Sequence, residues 1–401
     1  MSGMSLLMSQ NMLWNANFIK VCVANFLLFF AFYLLMPLLP LYLSETFHAP
    51  KDVIGAVLSG YTVSALLMRP FSGYLVDTFP RRRVLMVCFF LFFIFFAGYL
   101  AAGTLMLFFV IRTLHGAPFG ALTVANSTCA IDVLPAERRT EGIGYYGLSN
   151  NLAMATGPTV AVYLFKVIGS FEVLFWTALI VAGIGLAVDA TVKLPEREHS
   201  VAPVKRPVSL DRFFLTPGWR LFLCMLAFGF SYGVLSTYLA IYGKERMGMG
   251  DATGPFFLLL AVGLMLSRLQ GASSLREGRL THNASMGMLV SLVGYTLFVA
   301  LPNLWGYYGA ALLIGLGNGH MWPAFQNMFI NLGTNAQRGT ANSTVLVAWD
   351  VGIGLGVVVG GFAAEHWGYG AAFWCSVAVN AMGVAGYFGS ARTHFLRNKL
   401  R

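Results

Sequence analysis

Charge is what this chain has least of. Asp, Glu, Lys and Arg together make up 10% of its 401 residues, whereas a soluble domain carries about 25%. That scarcity excludes an ordinary set of soluble domains and a disordered chain. Cysteine is also sparse: Cys22, Cys88, Cys129, Cys224 and Cys375 sit singly in apolar stretches, which excludes a disulfide framework and the paired spacings of zinc and redox sites. No Walker motif is present, so ATP does not drive any process in this chain. No nucleophile–base constellation or metal-ligand spacing occurs either. The expectation is a protein that is not an enzyme, with no cofactor and no metal. The net charge of +10 is read as basic loops facing an anionic leaflet, not as a nucleic-acid footprint.

What is abundant is apolar. Hydrophobic residues are 57% of the chain and Phe alone contributes 34; the mean hydropathy is +0.70. Such a chain needs lipid as its solvent. No cleavable leader is expected, because the apolar run after Lys20 is too long for a signal segment. A helix crossing the bilayer takes about 20 apolar residues. The sequence predicts twelve spans: 17–43, 52–76, 84–103, 104–132, 140–166, 171–192, 217–243, 252–276, 283–301, 303–332, 339–365 and 369–391. The longest break is charged and Pro-rich. The expected organisation is therefore an all-α membrane protein of two six-helix bundles, 1–192 and 217–401, joined by a linker at 193–216.

The basic residues set the expected orientation. With both termini in the cytoplasm, eighteen Lys and Arg lie on the inner side, among them Arg81, Arg82, Arg83, Arg138, Arg139 and Arg338; only Lys51, Lys166, Lys244 and Arg246 lie outside. Positive residues favour the inner side. An inner-membrane, multi-pass location follows as the expectation.

The halves overlay on each other. Met68-Arg69 matches Ser267-Arg268, Arg139 matches Arg338 and Gly157 matches Gly356, each 199 residues apart; Leu39-x-x-Tyr42 matches Leu239-x-x-Tyr242 at 200. Six spans return the chain to its starting side, so the repeat is parallel. Secondary transporters with such halves place substrate at the midplane and alternate its access to the two sides.

The loop after the second span reads Gly73-x-Leu75-x-Asp77-x-x-Pro80-Arg81-Arg82. It resembles the signature Gly-x-Leu-x-Asp-x-x-Gly-Arg-Arg/Lys of the major facilitator superfamily, with Pro80 in place of the usual Gly. Arg112-x-x-His115-Gly116 resembles the Arg-x-x-x-Gly signature of proton-driven members, and Ala153-x-x-x-Gly157-Pro158 resembles the Gly-x-x-x-Gly-Pro signature of antiporters. The stretches around Asp132–Tyr145 and Asn342–Gly356 are similar to a bacterial efflux subgroup. The resemblance spans the whole chain. It implies twelve helices, a small-molecule substrate, protons as the coupling ion and a monomer. It also implies a cytoplasmic latch, in which Asp77 faces the start of the eleventh span and Arg81 pairs with Asp132.

Other candidates come from depth. Arg112 lies about 12 Å inside the fourth span at the helical rise, where a charge is costly and usually functional. His115 is one turn further in and could carry a proton. Asp350 lies near the middle of the eleventh span, and its repeat partner is Asn151, beside Asn150. An ionisable group at that depth suits proton loading and release. The tenth span concentrates Asn318, His320, Trp322, Gln326 and Asn327, and Tyr33, Tyr61, Tyr232 and Tyr238 are further candidates for a cavity wall. Arg69 and Arg268 are read as braces near the inner side. The glycines of spans five and eleven, including Gly157 beside Pro158 and Gly352-x-Gly354-x-Gly356, are read as small faces for helix packing. The expected activity is proton-coupled export of a small organic molecule. An importer of a sugar or organic anion and a lipid flippase are the alternatives.

Overall fold

The computed structural model describes residues 13–49, 51–195, 210–248 and 253–400, with the side chains of some residues inside these ranges, Arg268 among them, left aside. The leader expectation for the first residues and most of the linker at 193–216 lie outside the described residues. The chain divides into two compact units, Met1–Phe213 and Phe214–Arg401.

The first unit contains α1 (Ala16–Leu35), α2 (Leu39–Phe47), α3 (Lys51–Thr78), α4 (Arg81–Ala101), α5 (Leu105–Asp132), α6 (Arg139–Ile168) and α7 (Phe171–Ala190). The second contains α8 (Trp219–Met247), α9 (Thr253–Arg276), α10 (Leu280–Ala300), α11 (Leu304–Leu332), α12 (Arg338–Trp367), α13 (Tyr369–Gly386) and a short α14 (Arg392–Asn398) after a π-helical turn at Tyr387–Ala391. Nine helices among the described residues are long and apolar enough to cross a membrane, and α9 carries a shorter apolar stretch, Gly254–Ser267. The single continuous span expected over 17–43 is interrupted: α1 ends at Leu35, a turn covers Met36–Leu38, and α2 begins with Pro40 in its first turn. Pro37 and Pro40 are the cause, since neither can donate a helical N–H and each disfavours helix in the residue before it.

Local chemistry sets the other boundaries. Asn15 accepts from the Phe18 N–H at 2.9 Å and starts α1. Thr104 accepts from Leu107 at the start of α5, and Asn303 accepts from Gly306 at the start of α11. Such caps satisfy helix N–H groups that have no partner within the helix. Gly169 takes φ +69° at the end of α6, where an L side chain would be strained.

The two units repeat in geometry as well as sequence. α4 and α10, α6 and α12, and the 3₁₀ turns Ala136–Arg138 and Asn335–Gln337 have both ends displaced by the same 199 residues. The pairing of helices also repeats. In the first unit α3 packs on α5, and α1 on α6 and α7; in the second α9 packs on α11, and α8 on α12 and α13. One device closes the α3–α5 and α9–α11 crossings. A methyl placed on Gly116 or Gly120 would strike the backbone of Tyr61 or Ala65; on Gly315 it would strike Leu260, and on Gly319 the Ser267 side chain. Helices in lipid gain little from apolar burial against one another, so close backbone approach through small residues supplies the contact. Large apolar side chains such as Leu67, Met106, Val358 and Met382 remain on the outside, as lipid-facing residues should.

Candidate functional site

In the first unit a buried polar group surrounds Arg112 on α5. Its side chain is buried, at 2% exposure, and among the described residues no carboxylate pairs with it. The guanidinium instead lies 4.1 Å above the Tyr61 ring of α3. It donates to the Tyr99 hydroxyl of α4 at 3.0 Å and points a second nitrogen at the Met36 sulfur at 3.7 Å. A cation held by a ring face and a neutral hydroxyl is partly compensated, but its charge is not cancelled. His115 lies one turn on, enclosed by Phe92, Phe95, Phe96 and Tyr61. Its Nδ1 is 2.7 Å from the same Tyr99 hydroxyl. With that oxygen accepting from Arg112, the Tyr99 hydroxyl can donate to Nδ1 or accept from it, according to the imidazole tautomer. Arg112, Tyr99 and His115 thus form one hydrogen-bonded chain. His115 is a member of the packed aromatic core, at 1% exposure.

At the basic end of the same unit, Arg81 opens α4 and is buried. It lies 3.6 Å from Asp77 at the end of α3 and forms an ion pair with Asp132 at the end of α5. One guanidinium therefore ties three helix ends. Gly73 lies buried one turn before Asp77. Pro80, which departs from the glycine of the signature, caps α4 at φ −57°. The turn requires no left-handed residue, so Pro serves it.

On α6, Asn150 and Asn151 are half-buried, and the Asn150 Oδ1 is enclosed without a hydrogen-bond partner. Gly157 sits where a methyl would press on Tyr33 and Leu34 of α1, and Pro158 lies inside the continuous helix. Membrane helices accommodate such prolines when neighbours cover the freed carbonyl.

In the second unit Asp350 is half-buried on α12. Its neighbour Trp349 contacts Tyr232 of α8 at 5.3 Å and meets Trp322 of α11 edge-on at 5.2 Å. Gln326 donates to Asn342 at 2.9 Å, tying α11 to α12. His320 approaches Asn283 of α10 at 3.4 Å. Asn327 bonds back to its own helix at Pro323, and Asn318 accepts from Ser291. The tenth-span cluster is thus dispersed around the helix. Trp322 reaches towards the Asp350 region, while His320 and Asn318 face α10. Among the α12 glycines, Gly352 and Gly356 meet α8, but a methyl on Gly354 would meet nothing within 4 Å. Helical spacing explains this: 352 and 356 share a face and 354 lies opposite.

Two groups escaped the sequence reading. Tyr99, the hub of the Arg112 chain, is a lone hydroxyl in a Phe-rich helix, and that contrast is the signal that could have marked it. Asn25 of α1 accepts from the Tyr146 hydroxyl at 2.8 Å and donates to Ser149 at 2.8 Å, with Asn126 of α5 at 3.5 Å. Together these form a buried polar junction of α1, α5 and α6.

Comparisons with known proteins agree with this architecture. The Major Facilitator Superfamily profile matches residues 21–282 and 276–397. The chain is 24% identical over 353 residues to the staphylopine export protein of Staphylococcus aureus, covering 84% of this chain and 87% of that one. It is also 24% identical over 391 residues to the multidrug resistance protein MdtG of Proteus mirabilis, covering 92% and 94%. The fold matches that of the human organic anion transporter MFSD10 at a TM-score of 0.75 and 18% identity, covering 92% and 98%. With the family profile spanning nearly its whole length, the chain belongs to the major facilitator superfamily and is a multi-pass membrane transporter.

Proposed function

We propose that this transporter exports a small anionic or zwitterionic organic molecule in exchange for protons, by alternating access, as a monomer in the inner membrane with both termini in the cytoplasm. The observation that carries the substrate charge is Arg112. A fully enclosed guanidinium with no carboxylate beside it among the described residues is an expensive group to keep, and an anionic ligand group would compensate it. Tyr61 and Tyr99 hold it in place for that contact. The export direction is supported by relatives such as the staphylopine export protein and MdtG, which match over more than four-fifths of the chain. In this reading Asp350 is the proton-carrying carboxylate, and Asp77, Arg81 and Asp132 latch the cytoplasmic ends of α3, α4 and α5.

Purified protein in liposomes with an imposed proton gradient tests this reading. Anionic and zwitterionic solutes should collapse the gradient in the wild type. Asp350→Asn should abolish the coupled proton flux, and Arg112→Ala should abolish the preference for anions. Proton flux of wild-type size in Asp350→Asn would remove that residue from the mechanism. Absence of movement for any solute in either direction would overturn the export reading.

A further inference from the structure

We propose that Asp189 is a proton-binding site of the first unit, holding its proton while the end of α7 is packed against α1 and releasing it to water when that contact opens. The inference goes beyond export and does not rest on it. Asp189 is the one acid between Glu172 and Glu196, in the last turn of α7. It is 2% exposed, and among the described residues neither carboxyl oxygen has a hydrogen-bond partner. A carboxylate in that state would be buried, uncompensated and unsolvated, which a protein avoids by keeping the group protonated.

The neighbouring charges strengthen the case because they are engaged elsewhere. α7 packs against α1, α4 and α6. From α1, Lys20 donates its Nζ to the Thr191 carbonyl at 3.2 Å. From α4, Arg82 donates to the carbonyls of Ala190 and Val192, both at 2.6 Å. Two cations at this helix end therefore bond the terminal carbonyls and leave the carboxyl alone. Those carbonyls are the negative end of the helix, which disfavours a second negative charge in the same turn. From α6, the Tyr146 phenol shares the neighbourhood with Asp189, Cys22 of α1 and Cys129 of α5, but its proton is donated to Asn25. Glu141, earlier on α6, is paired with Arg138 at 3.1 Å. Among the described residues, none donates a hydrogen bond to the Asp189 carboxyl or forms an ion pair with it.

The step is simple in chemical terms. Opening of the α1–α7 contact admits water, the carboxyl O–H bond breaks heterolytically, and the proton leaves to water or buffer. Reclosure requires a proton to return. The closed state of this helix end is thereby tied to the binding of one proton.

Two measurements on the purified full-length protein test this without a known substrate. Infrared difference spectra across pH should contain the carbonyl stretch of a protonated carboxyl that disappears in Asp189→Asn and moves in Asp189→Glu. Hydrogen exchange of the amides at the end of α7 should respond to the same proton. The ratio of wild-type to Asp189→Asn exchange rates should climb with rising pH, by up to about tenfold per unit for one linked proton. If Asp189→Asn does not fold, the band shift in Asp189→Glu and its exchange profile carry the test. A protonated-carboxyl band unaffected by any Asp189 substitution, or a rate ratio flat across pH, would overturn the proposal.

Discussion

Where the first unit buries Arg112, the second has Ala311 at the equivalent position; where the first buries Asp189, the second has Phe388. Arg81 and Asp132 have Leu280 and Asn331 as counterparts. The second unit's buried polar contacts between α8 and α13 are neutral: Ser231 donates to the Ser376 carbonyl, and Asn380 donates to Ser231. Asp350 reverses the pattern, with Asn151 as its counterpart in the first unit. The helix boundaries and glycine crossings, by contrast, are nearly superposable in register. The scaffold is thus preserved by the repeat, and Arg69 and Arg139 recur as Arg268 and Arg338, whereas Arg81, Arg112, Asp132, Asp189 and Asp350 each occur in one copy only. Packing demands are the same for both copies, whereas a buried charge is costly and is retained at single positions.

The largest effects should respect the shared scaffold. Gly116→Leu and Gly315→Leu should both eliminate folded protein, because each places four heavy atoms against a facing backbone. The cost should exceed about 3 kcal/mol in either unit. Size-exclusion profiles of the two variants in detergent check this; a clean monodisperse peak for one and not the other would break the symmetry.

The next effects should be confined to one unit. Arg112→Ala should keep the fold and lower kcat/KM for an anionic substrate by about 30-fold or more, the equivalent of about 2 kcal/mol. Ala311→Ser, its counterpart, should leave transport near the wild-type level. Asp77→Asn should leave expression intact while crippling transport in vesicles, whereas Asn331→Ala should be nearly silent. Normal transport at normal expression for Asp77→Asn would remove the latch from the mechanism.

The smallest effects return to symmetry. Thr104→Ala and Asn303→Ala remove equivalent caps and should each cost about 1 kcal/mol, read as matched reductions in thermal unfolding temperature. Gly354→Ala should shift that temperature little, since the added methyl meets open space.

Much of this was legible along the chain. Apolar runs located the twelve spans because the bilayer imposes a length and a composition on each. The constant offset exposed the repeat. The Arg81–Asp132 pair was implied by the family resemblance of the Gly73–Arg82 signature, since Asp132 lies 51 residues away from Arg81. Other features were illegible for specific reasons. The break at Met36–Leu38 lies inside an unbroken apolar run, which masks two prolines. The Gly116–Gly120 and Gly315–Gly319 pairs blend into a chain with 44 glycines, and only the facing backbones mark them as contacts. His320 and Gln326 share one helix and look like one cluster, yet they bond to different neighbours.

The sequence by itself determined the solvent, the helix count, the repeat and which positions carry charge, because each follows from composition or from spacing along one helix. Only the tertiary structure decided what each charge meets. Arg112 meets Tyr61 and Tyr99, 51 and 13 residues away, and no acid among the described residues. The Asp189 carboxyl receives no hydrogen bond among the described residues, although two cations stand at the same helix end. Partnership of buried groups depends on helix rotation and crossing, which small-residue packing fixes in three dimensions and which no local pattern encodes.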